Sequence, residues 1–144
     1  PVRPLIRSAT TRLTGVVSVL PQDGDEATMA WVDTVSTHEL FLSVMVVGEI
    51  RQGIERLAVR DPGQAAILDE WSQRLVNDYA DRIVPVTPEV AQLWGRLNAD
   101  SPLPLVDGLL AATALVRNWT LVTRNTTDVE RTGVRLLNPF EKSR

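Results

Sequence analysis

The run from Val106 to Val116 is apolar on nearly every side of a helix, so the fold must enclose it rather than lay it on a surface. Near its start sits Asp107, within Pro104-Leu105-Val106-Asp107-Gly108-Leu109-Leu110-Ala111-Ala112-Thr113-Ala114. A carboxylate among leucines and alanines costs free energy unless something compensates, commonly a metal or another cation. An acid in the first turn of a helix also interacts favourably with the macrodipole, which is the plainer account of the same residue. The apolar surroundings make Asp107 the first candidate for chemistry.

A buried helix needs layers around it, and apolar runs of strand length alternate here with longer helical patterns. That alternation predicts an α/β domain, a central mostly parallel sheet flanked by helices. Leu13 to Leu20 reads as the first strand, Pro21 to Asp25 as a loop and Glu26 to Val35 as a short helix. Leu40 to Val44 is a second strand, with Ser43 placed to cap the helix from Met45 to Val59. Val47, Ile50, Ile54 and Leu57 form its apolar stripe, and Glu49, Gln52, Gly53 and Arg56 fall opposite. A helix from Gly63 to about Tyr79 carries Ile67, Leu68, Trp71 and Leu75. Ile83 to Val86 is a strand, and Thr87-Pro88 starts a helix bearing Val90, Leu93, Trp94 and Leu97. Ser101 to Pro104 is a loop before the buried helix, and Trp119 to Thr123 and Val134 to Leu137 are the last strands.

At 144 residues the chain reads as one domain, large enough for a core without staples, preceded by a divergent basic segment over residues 1–12. It has no Cys, hence neither disulfides nor a thiolate zinc site, which fits a reducing cytoplasm. No apolar run approaches the roughly 20 residues needed to span a bilayer, so no membrane partner is expected. A net charge of −3 argues against a surface that attracts nucleic acid everywhere. It leaves room for a nuclease, whose metal-binding carboxylates add negative charge of their own.

Ligands of open α/β sheets bind beyond the carboxyl ends of the strands. Glu49 lies just past the second strand, Asp107 at the start of the buried helix, and Asn125 and Asp128 just after a late strand. Such a set of oxygen ligands suits Mg²⁺ or Mn²⁺, which can activate water and stabilise charge on a phosphodiester being cleaved. Taken singly, Glu49 reads as a solvated helix residue and Asn125 and Asp128 as turn formers; the combination carries the weight. Other chemistries fit poorly: His38 is the single histidine, and no Gly-rich phosphate loop follows a strand. Trp31, Trp71, Trp94 and Trp119 read as core or dimer-interface residues rather than a base-stacking platform. Arg51, Arg56 and Arg60 fit either a phosphate path or a solvated face.

Leu42-Ser43-Val44-Met45-Val46-Val47-Gly48-Glu49-Ile50-Arg51-Gln52-Gly53-Ile54-Glu55-Arg56-Leu57 resembles the second motif of PIN-domain proteins, close to the VapC and FitB-like toxins. The stretch Leu105 to Ala114 resembles the third, and Leu121 to Asp128 followed by Gly133 to Phe140 resembles the fourth and the closing strand. The resemblance covers about residues 13 to 140. It implies a parallel α/β fold whose acidic cluster binds Mg²⁺ or Mn²⁺ and cuts RNA. It further implies a toxin of a type II toxin–antitoxin system, a homodimer neutralised by a VapB-like antitoxin. On this reading Glu49 and Asp107 are metal ligands, and Asn125 and Asp128 complete the catalytic set. Thr14, Thr123 and Arg124 would contact the RNA substrate.

The first motif departs from the family. Where a strand ending in Asp-Thr-Asn is expected, this chain has Leu13-Thr14-Gly15, and a leucine cannot coordinate a cation. Asp23 and Asp25 are the nearest acids that follow. The alternative expectation is therefore a catalytically impaired PIN-fold protein that acts by binding an antitoxin or RNA.

Overall fold

The computed structural model describes residues 15–17, 40–123 and 126–138. In chain order the elements are β1 (Gly15–Val17), β2 (Leu40–Ser43), α1 (Val44–Arg60), α2 (Pro62–Asp78), β3 (Ile83–Val84) and α3 (Pro88–Leu97), followed by α4 (Leu105–Arg117), β4 (Thr120–Val122), α5 (Thr126–Val129) and β5 (Arg135–Leu137). Short 3-10 turns occupy Ala80–Arg82 and Glu130–Thr132. The strands form a five-stranded sheet in the order β3-β2-β1-β4-β5, and every pairing is parallel. The order turns back at β1, whose Val17 is level with Leu42 of β2 and Val122 of β4. Ligand crevices of open sheets form at such a switch point.

Local chemistry accounts for the element ends. Ser43 takes extended geometry and its hydroxyl accepts from the Met45 amide at 3.1 Å, capping α1 as its sequence position predicts. Asp61 closes one helix and opens the next: its N–H donates to the Leu57 carbonyl, and its carboxylate accepts from the Gln64 amide at 3.1 Å. Pro62 then occupies the first helical position, where a missing N–H costs nothing. Thr87 caps α3 in the same way, accepting from the Val90 amide at 3.2 Å.

The core lies between β2, β4 and the helices α1, α2 and α4. Leu40 and Leu42, and Leu121 and Val122, are enclosed, as strands inside a parallel sheet must be. From α1 the buried residues are Val46, Ile50, Ile54 and Leu57, and from α2 Leu68, Trp71 and Leu75. Several expected inner-face residues are less enclosed than the pattern implies, among them Leu93, Trp94 and Leu97 of α3, which are half-buried. Val47 is only half-buried because Val46 faces the sheet, and Ile67 is 54% exposed because Leu68, Trp71 and Leu75 define the inner face of α2. The expected helix over Glu26–Val35 lies outside the described residues, as do Trp31 and His38. Among the described residues no helix is long and apolar enough to cross a membrane.

Candidate active site

Chain direction brings two acids to one edge of the sheet. α1 begins directly after the carboxyl end of β2, and Glu49 lies about 8 Å along it at 1.5 Å per residue. α4 reaches the same edge from the other direction. Its last turn is joined to the start of β4 through Asn118, whose φ of 58° is the left-handed turn that Asn tolerates. A helix of 13 residues spans about 20 Å, well over the length of the three-residue strand it precedes, so its first turn overhangs the carboxyl edge. Asp107 is in that first turn.

Glu49 and Asp107 are both half-buried and lie within electrostatic reach of each other. Burial raises the Glu49 carboxyl above its ordinary value of 4.5, and the charge of Asp107 raises it further. Two carboxylates held together against mutual repulsion form a donor set that a divalent cation would relieve. Mg²⁺ in particular is held by one or two carboxylates with water and substrate phosphates completing its shell. The residues present therefore fit the metal that the sequence motifs imply.

The sign of the Glu49 shift predicts how the metal-free protein responds to pH. The folded state holds the Glu49 proton more tightly than the unfolded state, so this contribution to stability is present below about pH 4.5 and is lost as pH rises through the raised value. Glu49→Gln should accordingly melt above the natural protein at pH 7 in EDTA, with the difference vanishing below pH 4.5. Melting curves across pH 4–8 check this; a Gln variant that melts lower at pH 7 would contradict it.

The other candidates are distributed around this pair. Thr123 follows β4, is 4% exposed, and donates its backbone N–H to the Leu137 carbonyl at 3.0 Å, which fixes it at the carboxyl edge. Asp128 is exposed on α5, whose neighbouring Val129 turns into the core. Among the described residues no group of three or more acids or histidines comes together, so Asp128 does not form a three-carboxylate set with Glu49 and Asp107. Leu13, Thr14, Arg124 and Asn125 lie outside the described residues. Arg51 pairs at the surface with Asp69 at 2.8 Å and Glu55 at 3.3 Å.

Sequence reasoning missed the support behind Asp107. A Cβ on Gly108 would stand 3.1 Å from both the Trp94 ring and the Asn98 side chain, so this glycine permits the close approach of α3 to α4. Asn98 donates to the Trp94 carbonyl at 2.8 Å and accepts from the Leu103 amide at 2.6 Å. Its position after Leu97, where the helical pattern of α3 stops, was the available signal, since Asn commonly ends helices.

Comparison with known proteins agrees with this architecture. The chain matches the PIN domain family over residues 14–134, a match that starts immediately after Leu13. It is 29% identical over 138 residues to VapC ribonuclease Y4jK of Sinorhizobium fredii, covering 89% of this chain and 95% of that protein. It is 27% identical to Toxin FitB of Neisseria gonorrhoeae over 121 residues, covering 81% of this chain and 86% of that one. Among solved structures, FitAB bound to the IR36 DNA fragment superposes with a TM-score of 0.70 at 22% identity, over 90% of this chain and 98% of that one. With a five-stranded parallel sheet and a family match spanning most of its length, this chain belongs to the PIN domain family.

Proposed function

We propose that the protein is the toxin of a type II toxin–antitoxin pair and a divalent-metal-dependent endoribonuclease. The observation that carries this reading is the pairing of Glu49 with Asp107 at the carboxyl edge of the sheet, where burial and mutual repulsion suit both to a cation. The names of the relatives, a VapC ribonuclease and a FitB toxin, support the activity and its setting. Glu49 and Asp107 would hold Mg²⁺ or Mn²⁺. A divalent ion bound there supplies Lewis-acid polarisation of a phosphoryl oxygen and acidifies a water.

The chain's own residues do the rest. The first turn of α4 holds the Asp107 carboxylate at the edge of the sheet, and α1 holds Glu49 beside it. The buried Thr123 stands at the end of β4, with Arg124 and Asn125 following it in sequence; Thr123 and Arg124 would contact the RNA. Thr14 would contact the substrate, and Asp128 would act at the rim of the site. A VapB-like antitoxin and a second copy of the chain are the proposed partners. Leu13 favours a second reading, in which the site is impaired and the protein works by binding the antitoxin or RNA.

The test is incubation of the partner-free protein with total RNA. The nuclease reading expects discrete cleavage products that vanish in EDTA and return with Mg²⁺ or Mn²⁺. Intact RNA under all conditions, with the antitoxin still bound, would select the second reading.

A further inference from the structure

Among the described residues, three of the four long helices begin with a side-chain cap: Ser43, Asp61 and Thr87 each accept from an amide of the turn they open. α4, the helix that carries Asp107, does not. Pro104 stands at its start with no side-chain cap, and the local backbone bond is Gly108 N–H to the Pro104 carbonyl at 2.9 Å. Its neighbour Leu105 is 57% exposed and contributes little packing. An uncapped first turn frays unless distant contacts hold it.

Those contacts converge on the connection from residue 98 to residue 104. Asn98 spans it from inside, bonded to the Trp94 carbonyl on one side and to the Leu103 amide on the other. Arg131, on the 3-10 turn after α5, reaches it from outside. One guanidinium nitrogen donates to the Leu97 carbonyl at 3.3 Å and another to the Ser101 carbonyl. Trp94 and Asn98 also wall the Gly108 position beside Asp107.

We infer that Asn98 and Arg131 are positioning residues for Asp107: they lock the 98–104 connection and so fix the uncapped turn that presents this carboxylate. Neither acts on substrate. Arg131 also joins the segment bearing Asp128 to the segment that leads into Asp107, across 30 residues of sequence. Asn98 is half-buried and Arg131 is exposed, so the Asn98 bonds are the stronger half of the lock. The inference rests on the proposed metal role of Asp107 for its functional consequence, and on the hydrogen bonds alone for its structural one.

Two measurements on the full chain separate these parts, using Asn98→Ala, Arg131→Ala and, as a destabilising control in α2, Ala65→Gly. Hydrogen exchange of the metal-free proteins should show the Leu103 and Gly108 amides exchanging at least about tenfold faster in Asn98→Ala, less so in Arg131→Ala, and unchanged in Ala65→Gly. Calorimetric titration with Mn²⁺ should then show Kd raised about tenfold in Asn98→Ala, in the range typical of residues that orient metal ligands. Unchanged exchange at Gly108 in Asn98→Ala would overturn the inference, as would faster exchange with an unaltered Kd, or an equal rise of Kd in Ala65→Gly. Should the natural protein not bind Mn²⁺, the metal reading falls, and exchange at Gly108 alone decides whether the lock exists.

Discussion

Asp107→Asn is expected to reduce RNA cleavage about a thousandfold or more while the protein melts within a few degrees of the natural chain. The substitution keeps the size and shape of the side chain and removes its charge. Two effects on stability oppose each other. Asn loses the favourable interaction of an acid with the first turn of α4, about 0.3–1 kcal/mol. It also relieves the repulsion that raises Glu49. The change isolates the charge of Asp107, so a loss of activity with melting retained is attributable to the site. Cleavage of labelled RNA, measured beside thermal melting, checks both halves. Retained cleavage would remove Asp107 from the chemistry, and a collapse in melting temperature would make it a structural residue.

Trp71→Ala is expected to cost about 3–5 kcal/mol, on the order of 10–15 °C in Tm for a chain of this length. Trp71 is 2% exposed in the cluster that joins α2 to α1 and the sheet, beside Leu68, Leu75, Ile54 and Leu57. Deleting the ring leaves a cavity that two helices joined by the single residue Asp61 have little freedom to close. Chemical denaturation monitored by circular dichroism measures the loss. A cost below about 1 kcal/mol would show that the ring is not core, and would return it to the surface roles set aside for it.

The layered architecture was legible because it rests on local signals. Ser43, Thr87 and Pro88 mark helix starts through side-chain oxygens and ring geometry that act within a few residues. The apolar run of α4 announces its own burial, with Leu110, Ala111, Ala112 and Ala114 all enclosed. Facing is harder to read. Val46 and Val47 differ by one residue, and both fall within a turn of Ile50 on the apolar side, yet only Val46 is buried. The same limit displaced Ile67.

For the site, sequence spacing identifies Glu49 and Asp107 as acids on separate elements, but their mutual influence depends on how α1 and α4 sit across the sheet. Asn98 was legible only as a helix end and Arg131 not at all, because their partners are backbone groups, which no residue pattern records. The strand expected over residues 13–20 is described over Gly15–Val17. Leu13 was read from motif order as standing where the family's first acid is expected, and it lies outside the described residues.

The central claim is that Glu49 and Asp107 together form a divalent-cation site. Calorimetric titration of the partner-free protein with Mn²⁺, in parallel with Asp107→Asn, tests it most directly. The account predicts saturable binding by the natural chain and its loss in Asp107→Asn. Absence of binding by the natural chain, or equal binding by both, would contradict it.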